Sequence, residues 1–142
     1  MGPGKLTLIA QCSAVCASLA GAPAVDAAGT FDGDWSVTLT CPKADGASGY
    51  TYRFPAEIQE NVLHGERGAR DAGGWLTLDG KLEPDGSGTL VAQGLATSTP
   101  HAIGRMDKPS PYTYEVSTQF DATSGSGSRT GMRKCGFVFV KD

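Results

Sequence analysis

The chain has 142 residues, and its 12 basic residues against 15 acidic ones give a net charge of −3. The signs are interspersed without a basic stripe, which excludes nucleic acid and anionic membrane as partners on electrostatic grounds. Twenty glycines, and no sustained 3.6-residue apolar period beyond the N-terminal segment, exclude a helical protein and favour short strands joined by turns.

Residues 1–27 read as a secretory signal peptide. Lys5 is the positive start and Leu6 to Gly21 the apolar stretch. Val25-Asp26-Ala27 is the small-residue cleavage site, with Ala22-Pro23-Ala24 as a second choice. The apolar stretch is too short for a comfortable membrane span, and no later segment is apolar enough to be one, so no membrane association is expected after cleavage. Cys12 and Cys16 would leave with the signal. Gln11 and Val15 precede them where a lipoprotein needs a small residue, so a soluble exported protein, periplasmic or extracellular, is expected. The remaining 142 − 27 = 115 residues, 28–142, make one domain, long enough to bury a real core.

Cys41 and Cys135 are the two cysteines of that domain. The first ends an alternating run, Trp35, Val37, Leu39, Cys41, and the second begins another, Cys135, Phe137, Phe139. Paired antiparallel with the cysteines opposed, Leu39 meets Phe137 and Val37 meets Phe139, whereas a slip of one residue puts the apolar faces on opposite sides. In an oxidising compartment this predicts a Cys41–Cys135 disulfide between the first and last strands.

The first strand runs over Asp34 to Cys41 and stops at Pro42. A loop over 44–49 leads to a second strand, Tyr50 to Ile58, with Tyr52, Phe54, Ala56 and Ile58 on one face. A turn at Glu60-Asn61 returns the chain through Val62 to Arg67, setting Ile58 against Leu63 and Ala56 against Gly65. A fourth strand near Trp75 to Glu83 turns at Pro84-Asp85-Gly86-Ser87-Gly88. It is expected to match Leu82 with Leu90, Gly80 with Ala92 and Leu78 with Gly94. Pro100, Pro109 and Pro111 mark 96–111 as a long irregular connection. Tyr112 to Phe120 is the sixth strand, and Gly125 to Thr130 with Arg133 to Val140 forms a closing hairpin around Gly131-Met132. No internal repeat is evident. The expected fold is all-β: one up-and-down antiparallel barrel of about eight strands. The Gly/Ser-rich seventh strand leaves seven strands or a sandwich open.

Gly33-Asp34-Trp35 resembles the G-x-W signature that opens the lipocalin and avidin barrels. The resemblance implies that Gly33 turns the chain into the barrel and that Trp35 plugs its closed end. It also implies a cation against that indole, Lys141 by register or Arg133 from the other end of the last strand, worth about 0.5–2 kcal/mol. The length suits an avidin-sized barrel, but a biotin-binding polar set cannot be placed on residues 36–40. The domain also resembles a type of small exported proteobacterial protein that starts Trp-Ser-Val-Thr-Leu-Thr-Cys-Pro and ends Cys-x-Phe-x-Phe, which implies a compartment and a fold but no activity.

Catalytic chemistry finds little support. His64 falls outward with Glu66, opposite Glu57, in a solvated pair. No serine has a nucleophile-elbow context, the domain's cysteines are paired, Asp32, Asp34 and Asp79 form no calcium loop, and a zinc site lacks ligands. No enzyme activity, metal or cofactor is expected. The inward aromatics, Trp35, Tyr52, Phe54, Tyr112, Tyr114 and Phe120, make either a plain core or the wall of a partly open cavity with gaps at Gly65, Gly80, Ala92 and Gly94. The expected function is a non-catalytic binding module for a small apolar or aromatic ligand. Trp35, Tyr52, Phe54, Tyr112 and Tyr114 would face the ligand, with His101 and Arg105 on the connection above it. The alternatives are a protein-binding barrel, such as an inhibitor of a secreted protease or cell-wall lytic enzyme, and a structural envelope protein. Trp75 falls outward in this scheme, either after a bulge or as an exposed contact patch.

Overall fold

A computed structural model describes residues 30–69, 74–96, 110–129, 131 and 133–142, together with Gly2 and Gly4. Apart from Gly2 and Gly4, the expected signal segment lies outside the described residues, as do Cys12, Cys16, His101 and Arg105. Eight antiparallel strands form a closed barrel in sequence order: β1 Gly33–Cys41, β2 Tyr50–Gln59, β3 Val62–Arg67, β4 Leu76–Leu82, β5 Ser87–Ala96, β6 Ser110–Phe120, β7 Ser124–Arg129 and β8 Gly136–Lys141.

The β1–β8 closure follows the cysteine register, with Leu39 opposite Phe137, Val37 opposite Phe139 and Trp35 opposite Lys141. Cys41, the last residue of β1, is bonded to Cys135, which immediately precedes β8, and their Cα atoms are 4.3 Å apart. β8 starts later than expected because the chain between Arg129 and Gly136 forms a connection, closed by a hydrogen bond from Arg129 N to Cys135 O at 3.0 Å.

The β2–β3 turn is also as expected, with Ile58 opposite Leu63 and Ala56 opposite Gly65. Glu60 and Asn61 take φ of 52° and 63°, the pairing of positive angles that a two-residue hairpin needs. Asp32 steadies this turn by accepting hydrogen bonds from Glu60 N at 3.1 Å and Asn61 N at 3.3 Å.

Across the β4–β5 hairpin the expected register is corrected by two residues. Leu82 faces Gly88, Gly80 faces Leu90, Leu78 faces Ala92 and Leu76 faces Gly94. The turn is tighter than the glycine run suggested. Gly86 N donates to Glu83 O at 2.8 Å and Glu83 N to Ser87 O at 2.7 Å, leaving Pro84-Asp85-Gly86 as the loop with Gly86 at φ 87°. A two-residue shift keeps every side chain on its face. It also improves the fit, because each inner pair now sets a large residue on a small one. A Cβ at Gly80 would stand 2.6 Å from Leu90 Cδ2 and 2.8 Å from Thr89 O.

Pro111 lies inside β6, opposite Leu95, despite the expectation of irregular chain there. The β6–β7 ladder ends at Val116–Arg129, so β6 has a free edge at this level where a missing N–H is tolerated. The Gly/Ser pattern of β7 works as an ordinary alternation whose inward residues are Gly125, Gly127 and Arg129. The Phe120 ring occupies the space that a Gly125 side chain would need, with its Cδ1 2.7 Å from the position of a Cβ.

The barrel is filled from its closed end upward. Trp35, Ile58, Leu63, Leu82, Leu90 and Phe139 have no exposed surface. Phe120 lies edge-on to Trp35 at 5.2 Å between centroids and tilts against Phe139 at 4.7 Å. The indole N–H of Trp35 donates to Phe31 O at 2.8 Å. Lys141 is the register partner of Trp35, as the cysteine register predicts. Its Cε lies 3.0 Å from where a Gly33 Cβ would be, and the cation–aromatic contacts of the described residues lie at the other end of the barrel.

Candidate functional site: the barrel mouth

At the mouth the inner face changes character. Below it the wall is aliphatic with Trp35 and phenylalanines; above Phe54 and Val116 tyrosines and arginines join Leu39, Cys41 and Leu76. Tyr50 and Tyr52 open β2, Tyr112 and Tyr114 stand near the start of β6, Arg67 ends β3 and Arg129 ends β7. All four tyrosines are partly buried and packed on the core.

The two halves of the mouth repeat each other. Tyr50-Thr51-Tyr52 recurs as Tyr112-Thr113-Tyr114, and Arg67 and Arg129 each follow the second tyrosine by fifteen residues. Both hairpins turn over two residues, and the Ile58–Leu63 pair of the first corresponds to Phe120–Gly125 of the second. The β2–β3 and β6–β7 seams lie four strands apart in an eight-strand ring, so the two Tyr-Tyr-Arg sets face each other across it.

The β2–β3 seam parts toward the mouth, whereas β6–β7 stays paired to the end of β7 at Val116–Arg129. The β2–β3 ladder ends at Ala56–Gly65, although β3 continues to Arg67, because the next β2 residue is Pro55 and has no N–H to donate. Arg67 lies at the parted end with its guanidinium carbon 3.5 Å from the Tyr52 ring centroid, and its Nη1 donates to Gly74 O at 2.8 Å. Arg129 stacks in the same way on Tyr114 at 4.0 Å. A third cation comes from the β7–β8 connection. Arg133, 4% exposed, lies 5.0 Å from the Tyr50 centroid and donates through Nη2 to Pro42 O at 3.1 Å and Ser48 O at 2.8 Å.

The phenols share one environment. Burial is the main cause that raises the Tyr112 hydroxyl to about 12, with Tyr50 and Tyr52 adding to it and Arg129 and Arg67 opposing it. Burial also raises Tyr114 and Tyr50, the latter against a lowering influence from Arg133. All three therefore stay protonated at neutral pH, as hydroxyl donors and acceptors. Gly94 makes room for one of them: a Cβ there would sit 2.4 Å from the Tyr112 oxygen.

Of the residues expected to face a ligand, the structure gathers Tyr52, Tyr112 and Tyr114 at the mouth. Phe54 lies in the buried layer just below, and Trp35 lies at the far, closed end. Tyr50, Arg67, Arg129 and Arg133 were not among the expected set. The Tyr-Thr-Tyr recurrence was the available signal for the tyrosines, and the common spacing to an arginine for two of the cations. Trp75 resolves to the bulge alternative. Gly74 N donates to Leu95 O and Leu95 N to Trp75 O, both at 3.1 Å, so two residues oppose one, with Gly74 at φ 84°.

His64 is outward and exposed, with Glu57 as its register partner as expected, but its hydrogen bonds run to Asp79 from Nδ1 and to Glu66 from Nε2, the latter at 3.0 Å. The Asp79 bond is the main cause that raises its pKa above 6.5, burial opposes it, and Glu66 adds to it. The charged ring therefore favours the folded state. That contribution is fully present below the unfolded value of 6.5 and is lost as pH rises through the higher folded value. An NMR titration of the His64 ring should give a pKa above 6.5, and Asp79→Asn should bring it down. Equal values in both proteins would contradict the assignment.

No protein-family model matches the chain, and no curated protein or solved structure matches it either.

Proposed function

We propose that this protein is an exported, non-catalytic binding barrel that holds a small aromatic molecule at its mouth. The observation that carries the reading is the placement of four partly buried, inward-facing tyrosines on opposite sides of the mouth, above a core already filled with side chains. Tyrosine offers a large, stiff aromatic face with a polar tip, which suits a planar guest and needs little ordering on binding. A filled lower barrel confines that guest to the upper layer. Export accords with the disulfide, which persists in oxidising compartments.

Titration with a naphthyl fluorophore, neutral or sulfonated, tests the reading. Saturable binding of one probe per chain is expected, weakened at least about tenfold by Tyr114→Ala, since a well-packed aromatic contact contributes on the order of 1.4 kcal/mol. If neither probe binds saturably to the folded protein, the reading is wrong.

A further inference from the structure

We propose that the molecule held at the mouth is a monoanion, an aromatic carboxylate or sulfonate whose charged group pairs with Arg129 while its ring lies against the tyrosines. This rests on the binding reading above and gives it a chemical class. Among the described residues, every ionisable side chain on the inner wall of the mouth is either a tyrosine or an arginine. The nearest strand carboxylates, Glu57, Glu66, Asp79 and Glu115, alternate to the outer face. Guanidiniums drawn out of water need a counter-charge, and neutral carbonyls satisfy their N–H groups without cancelling that charge.

The arginines differ in what they have left to offer. Arg67 is held by the Gly74 carbonyl, and Arg133 by the carbonyls of Pro42 and Ser48, so both are spent in part on tying connections to the rim. The Arg129 guanidinium carbon lies over the Tyr114 ring, 4.0 Å from its centroid, and its Nε is buried without a hydrogen-bond partner. A guanidinium held by its face keeps its edge for a bidentate carboxylate or sulfonate. One such edge specifies one anionic group. The protonated phenols supply further donors for the same charge, and their rings supply the surface for the rest of the guest.

Two probes with the same ring system separate this inference from the reading beneath it: 1-anilinonaphthalene-8-sulfonate and its uncharged counterpart N-phenyl-1-naphthylamine. The sulfonate is expected to bind at least about tenfold more tightly, in line with a charge-assisted hydrogen bond. Arg129→Gln should reduce its affinity about tenfold or more and bring the two probes within about threefold of each other. On the unaltered protein, raising salt from about 50 to about 500 mM should weaken only the sulfonate, and benzoate should displace it where benzyl alcohol does not. This second arm stands even if Arg129→Gln fails to fold. Equal affinity for both probes, or preference for the neutral one, overturns the monoanion and leaves the aromatic site standing. Binding of neither overturns both.

Discussion

Replacing Cys41 and Cys135 together by alanine is expected to lower the unfolding free energy by about 2–5 kcal/mol, read as a fall in the urea midpoint. The cysteines are 94 residues apart, and in the chain-entropy model a cross-link that long removes about 4–5 kcal/mol of freedom from the unfolded chain. The bond joins the residues one step beyond the last β1–β8 pair, Thr40–Gly136, where the Cα atoms of Cys41 and Cys135 lie 4.3 Å apart. A loss below about 1 kcal/mol would mean that the reduced chain keeps its ends together by other means. The bond also lies at the rim, where Cys41 pairs with Tyr50 and Cys135 is two residues from Arg133. The double variant should therefore weaken probe binding as well as stability.

Trp35→Ala should cost about 3–5 kcal/mol, measured by the same unfolding curve. The indole has no exposed surface and touches the ring of Phe120 edge-on, so its removal leaves a void under the aromatic layer that closes the barrel. Trp35→Phe separates the parts of this effect, because it keeps much of the apolar volume and removes the N–H that satisfies Phe31 O. It should lose less than alanine but still about 1–3 kcal/mol, since the carbonyl is left without its donor. If alanine is tolerated with a loss below about 1 kcal/mol, Trp35 is not the plug that its burial describes.

The sequence made the closure legible because two requirements coincided at one pairing. Cys41 and Cys135 had to be opposed, and Leu39 and Val37 had to meet Phe137 and Phe139, which only one register satisfies. At β4–β5 the constraint was looser, since any even shift keeps the leucines inward, and the choice fell to turn geometry between Pro84 and Gly88. The mouth was harder to read. The paired hairpins match at five of eighteen positions, Tyr, Thr, Tyr, Gly and Arg, because the intervening residues answer to different neighbours. The charged members were missed for another reason. Arg67 and Arg129 close strands at positions where an inward arginine looks like a solvated terminus until a tyrosine ring is placed beneath it.

The seam between β1 and β8 also dictates an order of events in folding. Local hairpins such as β2–β3 and β4–β5 need only nearby chain, but β1 acquires its second neighbour only once β8 exists. The barrel therefore cannot close around a growing chain, and its slowest contact is the one that joins its ends. Until that contact forms, β1 and β8 are both open edges, and the Val138 and Val140 side chains on β8 remain half exposed even afterwards. Rapid oxidation of Cys41 and Cys135 would shorten the period in which these edges can pair with another molecule.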